Sequence, residues 1–323
     1  MKFSAKKTLI AAFLTSAISG VVNASVETID WHNTASAKAQ QFVKDNIALD
    51  FYAPPFKTGW DNNVEAANYI DLAASRGISG ASITIAAPNT PTWAKFVAEH
   101  KAWTAAAKSA QVPVRFVKTP DDYKKALKNG EYAIQWNAQT TMMLEGDVSR
   151  VKDVAAYGVK TMQLTYNETE LTGAGAISMI NGDKSGLTDF GKKVIDEMVK
   201  YGITVDMSHT SYQTTMDIMN YMEKNHPGVP PMFTHSPLAS TYGCKPHETI
   251  AETKQRMAKK GLKKGDADHR LSGCYRLISD EQVKKVVSLG GMVSVTATEW
   301  MLDGIWPEDL TPKHFAEMID GAV

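Results

Sequence analysis

The stretch that decides the fold is TVDMSHTS at residues 204–211, followed by MFTHS at residues 232–236. Each piece is a short apolar run, rich in β-branched residues, that leads to a histidine, His209 or His235. A buried parallel strand presents a metal ligand at the carboxyl end of a sheet in this way. Residues 214–225 are typical of a helix, so the unit is strand, helix, strand with one imidazole at each strand tip. The alternative is that each histidine only packs and hydrogen-bonds there.

Composition limits the classes of function and the number of domains. The chain has 323 residues, 43% of them hydrophobic, and a formal net charge of zero. That length fits a large single domain or two small ones, and the hydrophobic content supports a core. A neutral chain lacks the strongly basic field that holds nucleic acid, so we expect no nucleic-acid partner.

The amino terminus is typical of a secretory signal peptide over residues 1–24. Three lysines precede an apolar run at residues 8–22, and small residues stand at 22–24, where a signal peptidase cuts. The run is too short to span a bilayer and no later run is long enough, so we expect no membrane span in the mature chain. Mature protein then starts near Ser25 and is periplasmic or secreted. A lone amphipathic anchor is the alternative.

The two cysteines, Cys244 and Cys274, flank a polar, lysine-rich insertion at residues 245–272. Two thiols in an oxidising compartment can pair, and we expect these to lie close enough to do so. Two unpaired thiols are the alternative, because sequence does not fix the distance between their Cα atoms. The insertion is either a lid or a solvated excursion, and charge runs usually form solvated faces.

The mature chain alternates strand-like and helix-like segments. The predicted strands are residues 47–51, 81–86, 112–117, 132–136, 161–166, 204–208, 231–234 and 292–296. The predicted helices include residues 64–76, 92–110, 148–157, 189–201, 214–225, 280–288 and 312–323, and Thr119 and Thr188 are predicted helix starts. Such alternation predicts an α/β fold with parallel strands, either a barrel or an open doubly wound sheet. No glycine-rich loop follows the first strand, which argues against a dinucleotide-binding fold.

Five motifs stand in order along the chain. They are LTYN at 164–167, GLTDFG at 186–191, VDMSH at 205–209, THS at 234–236 and RLISD at 276–280. In this order they resemble the membrane (renal) dipeptidase family of zinc metallopeptidases, and the resemblance covers most of the chain from about Ile47 onward. It implies a (β/α)8 barrel of the TIM type and a hydrolase in which two bridged zinc ions cleave dipeptides.

Three residues match functional positions of that family. His209 and His235 match the two histidine ligands of its second metal. Arg276 matches an arginine that holds the carboxylate of the substrate. The resemblance thus implies a metal site on the histidine pair and a substrate anchor beside it.

Other family positions carry different residues here. Family members have His-x-Asp just after the first strand, where this chain has Tyr52 and Pro54. Gln135 replaces a glutamate that bridges the metals, and Tyr166 replaces a histidine that faces the substrate. We take Tyr52, Gln135, Tyr166 and Arg276 as the candidate catalytic residues.

The departures change the expected cofactor. Two Zn²⁺ ions about 3.5 Å apart repel by ~20 kcal/mol at an effective dielectric of about 20, and carboxylate ligands offset that repulsion. Pro54 cannot ligate, Gln135 brings no charge, and Asp50 is a structural aspartate in our interpretation. We expect at most one weakly bound zinc ion, on His209 and His235, or none.

The end of the sequence sets a further expectation. A closed barrel needs eight strands, and residues 112–117 form an extra strand outside the barrel in one interpretation. The last acidic site residue of the family follows an eighth strand, and the sequence ends at Val323 before one. We therefore expect a fragment of a single barrel domain, residues 25–323, that lacks the last strand–helix unit.

Three functions remain open. The first is an exported dipeptidase-like hydrolase with a degenerate metal site, which acts on a small peptide or peptide-like substrate. The second is a metal-free pocket protein that assists periplasmic maturation of a peptide natural product such as a siderophore, as some relatives with eroded ligands do. The third is a binding protein or partner chaperone without chemistry. A homodimer is left open as the assembly.

The second function requires a polar pocket with an apolar wall. Its polar residues would be Tyr52, Gln135, Asn137, Tyr166, His209, His235, Arg276 and Glu299. Trp136, Trp300 and Trp306 form the wall or, alternatively, pack in the core.

Overall fold

The computed structural model describes residues 36–38, 41, 48–53, 63–88, 90–240, 255 and 276–294. Several predictions concern residues outside these ranges. They are the signal peptide, both cysteines, the insertion at 245–272 apart from residue 255, Pro54, Glu299, Trp300, Trp306 and the helix at 312–323. These stay predictions.

The described ranges contain alternating strands and helices. The strands are β1 (Leu49–Ala53), β2 (Gly80–Ala86), β3 (Val114–Phe116), β4 (Tyr132–Ala138), β5 (Val159–Gln163), β6 (Thr204–Asp206), β7 (Met232–Phe233) and β8 (Met292–Val293). The α-helices are α1 (Asn63–Ser75), α2 (Trp93–Lys108), α3 (Pro120–Asn129), α4 (Arg150–Ala156), α5 (Asp189–Lys200), α6 (Tyr212–Asn225) and α7 (Asp280–Ser288). Every predicted strand overlaps an observed one, and α3 and α5 begin after the predicted caps Thr119 and Thr188.

The strands form one parallel sheet in the order β1-β2-β4-β5-β6-β7-β8. β3 lies off this path and pairs with the first half of β4, whereas β5 pairs with its second half. The strand order follows chain order, as in a barrel, and shows no reversal of the kind that defines a doubly wound sheet. This position of β3 agrees with the interpretation of residues 112–117 as an extra strand outside the barrel.

The chain divides into two compact units. Unit one takes the described residues up to Ile83 together with Lys101–Gln135. In it, α3 starts with a capping box between Thr119 and Asp122 and ends on Gly130, whose φ of 67° suits glycine. Among described residues, no helix of either unit combines the length and apolar character needed to cross a bilayer.

Asp50 of β1 has a structural environment in unit one. Its side chain is only 4% exposed, and the hydroxyl of Tyr69 donates a hydrogen bond of 2.5 Å to its Oδ2 atom. Burial and the charge of Asp50 raise the pKa of Tyr69, so that phenol stays protonated. These contacts agree with the interpretation of Asp50 as a structural aspartate.

Unit two takes Thr84–His100 and the described residues from Trp136 onward. Helices α4, α5 and α6 bury one apolar stripe each. The fully buried apolar side chains there include Val151, Val154, Val194, Ile195, Met198, Ile218 and Met219. Burial of each of these side chains contributes ~1.5–3 kcal/mol relative to an exposed position.

One face of β5 and β6 carries polar side chains, unlike the branched apolar layers usual inside such barrels. Thr161 lies opposite Thr204, and Gln163 lies opposite Asp206. The Gln163 side-chain amide donates to Asp206 Oδ2 at 3.0 Å. Both side chains are at most 3% exposed, so a buried carboxylate lies at the carboxyl end of β6.

Candidate functional site

Three aromatic rings meet beyond the carboxyl ends of neighbouring strands. Tyr166 follows β5, His209 follows β6 and His235 follows β7. The rings of Tyr166 and His209 are stacked with centroids 3.9 Å apart, and the rings of His209 and His235 lie 4.8 Å apart. Parallel strands thus bring three of the predicted site residues to one place in unit two.

His209 has a backbone conformation that is uncommon outside glycine. Its φ is 70°, in the left-handed region. Its Nδ1 atom lies 2.7 Å from Asn167 Oδ1. With that amide oxygen as the acceptor, Nδ1 carries the proton, and among described residues no hydrogen-bond partner lies at Nε2. Unusual φ values concentrate at functional sites, where surrounding contacts hold them.

Glu170 holds the segment that carries Tyr166. Its carboxylate accepts hydrogen bonds from the backbone N–H groups of Tyr166 and Thr141, at 2.7 and 3.1 Å, and from the hydroxyl of Thr140 at 2.8 Å. Burial raises the pKa of Glu170, and these hydrogen bonds oppose that effect. The carboxylate therefore fixes where the chain leaves β5.

Asp206 performs a similar task beside His235. Its Oδ2 accepts from the hydroxyl of Thr234 at 2.5 Å, and its Oδ1 accepts from the N–H groups of Ser208 and Thr234 at 2.9 and 3.1 Å. Thr234 Oγ1 lies 2.6 Å from His235 Nδ1, and the His235 N–H donates to Ser208 Oγ at 3.1 Å. The end of β7 is therefore tied to β6, with the imidazole ring attached to the network.

Arg276 sets the charge of the cluster and is only 2% exposed. Burial lowers the pKa of His209 and His235 well below the usual value, and the guanidinium of Arg276 lowers it further. Burial raises the pKa of Tyr166, and Arg276 opposes that rise. At neutral pH the cluster therefore holds one cation, two neutral imidazoles and one protonated phenol.

These residues do not fit the two-zinc centre that the resemblance implies. In the part of the chain that the structure describes, no group of three or more His, Cys, Asp or Glu side chains could hold a metal ion. Zinc sites in proteins use three or four protein ligands. The histidine pair supplies two, and the positive charge of Arg276 opposes a further cation nearby.

The predicted site residues fall in both units. Tyr166, His209, His235 and Arg276 lie together in unit two. Gln135 is a half-buried residue of β4 in unit one. Tyr52 belongs to β1 of the same unit, and the structure describes its backbone only.

Two further pocket residues were predicted in β4. Trp136 is 3% exposed and packs edge-on against His100, with ring centroids 5.8 Å apart, which favours the core alternative. Asn137 accepts a hydrogen bond of 2.8 Å from the buried hydroxyl of Thr84.

Sequence reasoning missed three residues whose side chains contact the imidazoles directly or through one hydrogen bond. Asn167, Asp206 and Thr234 make the hydrogen bonds that orient the imidazoles. Each stands inside a motif used for the resemblance, one to three residues from a ring of the cluster. This closeness in sequence to a ring of the cluster was the signal that could have identified the three residues.

Known proteins share the sequence pattern and the fold. The family model for membrane dipeptidases, peptidase family M19, matches residues 21–248. An uncharacterized dipeptidase from Schizosaccharomyces pombe is 28% identical over 137 residues, which make up 42% of this chain and 31% of the yeast protein. The matched stretch thus spans less than a third of that relative.

Two solved structures from Pseudomonas aeruginosa resemble the fold. An amidohydrolase has a TM-score of 0.63 and 21% identity, over 87% of this chain and 71% of its own. The probable dipeptidase PvdM has a TM-score of 0.59 and 16% identity, over 84% of this chain and 65% of its own. The fold prediction of a TIM-type α/β barrel is confirmed. Because the family model matches well over half of the sequence, this chain belongs to the membrane dipeptidase family, M19.

Proposed function

We propose that the chain is an exported dipeptidase-family protein that acts on a small peptide or peptide-like substrate through a degenerate metal site. The observation that carries this proposal is the buried cluster of Tyr166, His209, His235 and Arg276. Export by a signal peptide at 1–24, a periplasmic or secreted location and a single domain at 25–323 belong to the same proposal. At most one zinc ion binds, weakly, at the histidine pair.

Each group of the cluster has a task in hydrolysis. The guanidinium of Arg276 holds a substrate carboxylate by charge-assisted hydrogen bonds. When no zinc ion occupies the histidine pair, the lone pair on His209 Nε2 accepts a proton from the attacking water, because burial keeps that imidazole neutral, and the imidazole then passes the proton to the leaving amine. The protonated phenol of Tyr166 donates to the oxyanion that forms on the peptide carbonyl.

A metal-free pocket protein that assists maturation of a peptide natural product, such as a siderophore, is the second candidate. The observation that favours it is the small number of metal ligands among described residues, together with a cation, Arg276, acting on both imidazoles. The same cluster then binds a carboxylate without cleaving a bond.

Zinc content and dipeptide turnover test the first candidate. The mature chain is dialysed against a weak chelator, analysed for zinc, and assayed on a dipeptide panel with and without added Zn²⁺. We expect fewer than two zinc ions per chain and slow turnover. The triple variant Tyr52→His, Pro54→Asp, Gln135→Glu should bind zinc more tightly, because it restores two carboxylates and an imidazole.

Calorimetry with the same dipeptides tests the ligand class. Arg276→Met should weaken binding by roughly 10-fold to 150-fold, since a hydrogen bond to a charged group is worth about 1.5–3 kcal/mol. Arg115→Met is the control, because Arg115 pairs with Glu131 in unit one. Two retained zinc ions per chain would overturn the degenerate site. Binding without turnover favours the second candidate, and no binding of any dipeptide overturns both.

A further inference from the structure

The hydrogen bonds around Asp206 determine where one proton lies. Four donors reach this carboxylate, from Gln163, Ser208 and, twice, Thr234. A carboxylate only accepts hydrogen bonds, so the hydroxyl proton of Thr234 points to Asp206 Oδ2. A threonine hydroxyl has a single proton. Thr234 Oγ1 therefore has none to give to His235 Nδ1, 2.6 Å away.

The proton of that short contact must then belong to His235. Thr234 Oγ1 accepts, and Nδ1–H donates. A neutral imidazole with its proton on Nδ1 has its lone pair on Nε2. Free histidine favours the opposite tautomer, with the proton on Nε2. The fold thus holds His235 in the form that the isolated side chain disfavours.

We propose that Asp206 and Thr234 are positioning residues that fix His235 as the Nδ1–H tautomer and make its Nε2 a proton acceptor of the site. Neither residue touches the reacting atoms, and both act through the imidazole. The use of that acceptor rests on the proposed function, whereas the tautomer itself does not.

A separate contact places the proton of His209 on Nδ1 as well. Its Nδ1 atom lies 2.7 Å from the side-chain oxygen of Asn167, a residue outside the Asp206 network. Both rings of the pair therefore offer Nε2, and His209 serves as an internal reference when the network of His235 is changed.

Nitrogen NMR reads the tautomer directly. The full mature chain is labelled with ¹⁵N-histidine, and His235→Gln identifies the His235 signals. In the wild type we expect a protonated Nδ1 and an unprotonated Nε2. Thr234→Val keeps the shape and removes the hydroxyl, so the His235 signals should move toward the Nε2–H pattern. Thr234→Ser restores the hydroxyl and should restore the wild-type pattern.

Two further variants separate this effect from a general loss of structure. Thr215→Val makes the same chemical change at a buried threonine that contacts Thr210 instead of a histidine, and it should leave both histidine patterns unchanged. Asp206→Asn can turn its NH₂ group toward Thr234, which frees the hydroxyl proton for His235 and should also shift the tautomer. It serves as the second test if Thr234→Val does not fold.

The outcomes distinguish this inference from the proposed function. A His235 that keeps the proton on Nδ1 in folded Thr234→Val or Asp206→Asn protein overturns the inference, whatever the protein binds. A tautomer shift without any dipeptide binding overturns the proposed function alone. Where dipeptides bind, Thr234→Val should weaken affinity or turnover about 10-fold to 100-fold, and Thr234→Ser should stay near the wild type.

Discussion

Gly175 lies against the backbone of Asn167 so closely that a Cβ atom at Gly175 would stand 2.3 Å from the Asn167 carbonyl carbon. The carbonyl oxygen of Tyr166 would be 2.4 Å away. Asn167 is the partner of His209 Nδ1, and the chain next to Gly175 binds the His209 carbonyl through the Ala176 N–H. A missing side chain therefore lets the Tyr166–Asn167 segment reach the histidine.

Gly175→Ala should disturb this arrangement from the backbone. The added methyl group must push the Tyr166–Asn167 segment away, and overpacking of this kind costs about 1–3 kcal/mol. We expect lower stability in urea and a broadened or shifted His209 ring signal. Gly228→Ala is the control, because its φ of 82° strains the variant although no atom lies within 4 Å. Equal His209 signals in wild type and Gly175→Ala would contradict the close packing.

The left-handed backbone of His209 predicts that a glycine variant at this position is more stable than an alanine variant, which reverses the usual order. Alanine in this region costs about 1–2 kcal/mol, and glycine costs little. His209→Gly should therefore be more stable than His209→Ala by about 1 kcal/mol in urea unfolding. The same pair at His235, a described residue without positive φ, should show the ordinary order with alanine ahead. If the alanine variant is the more stable one at both positions, the positive φ of His209 is refuted.

Glu170 predicts a stability that falls as pH rises. Burial raises its pKa in the folded chain, so the native state binds the proton more tightly than the unfolded state. Its contribution is fully present below the unfolded pKa of about 4.3 and is lost as pH rises through the folded pKa. The free energy of unfolding of wild type minus that of Glu170→Gln should therefore fall between acid and neutral pH.

Asp183 supplies a control of opposite sign for that measurement. Hydrogen bonds from Thr169 and Ser185 lower the pKa of Asp183. Its contribution is present above the unfolded pKa and is lost as pH falls through the folded pKa. The difference between wild type and Asp183→Asn should therefore rise with pH. If both differences change in the same direction with pH, the raised pKa of Glu170 is contradicted.

Two substitutions of Tyr166 should separate the effect of its ring on stability from the effect of its hydroxyl on turnover. Phenylalanine keeps the ring that stacks on His209, whereas alanine removes it, and an aromatic pair is worth about 0.5–1.5 kcal/mol beyond burial. Tyr166→Phe should unfold like the wild type in urea but turn over dipeptides more slowly. Tyr166→Ala should lose both stability and turnover. A Phe variant with full turnover would remove the phenol from the proposed chemistry.

The strands were predictable because their pattern is strong. Apolar, β-branched runs such as residues 81–86 are buried along their whole length in β2, as expected of a parallel strand with both faces covered. Strand ends were less predictable. The run at 161–166 gives a strand that ends at Gln163, because the next residues turn to meet Glu170 and the histidines.

The cluster was predictable in outline and not in detail. Strand-end positions brought Tyr166, His209 and His235 together, since parallel neighbours end at one edge. The hydrogen bond from Thr234 to Asp206 depends on the register that sets Asp206 opposite Met232, and register is a tertiary property. The positive φ of His209 likewise comes from its surroundings, because histidine itself does not prefer that conformation.

The tie between Asp206, Thr234 and His235 is made of protein groups alone. The rotational freedom of the imidazole is therefore given up when the chain folds, and a ligand that arrives later does not have to restrict it. Such a preorganised ring favours fast association with little rearrangement.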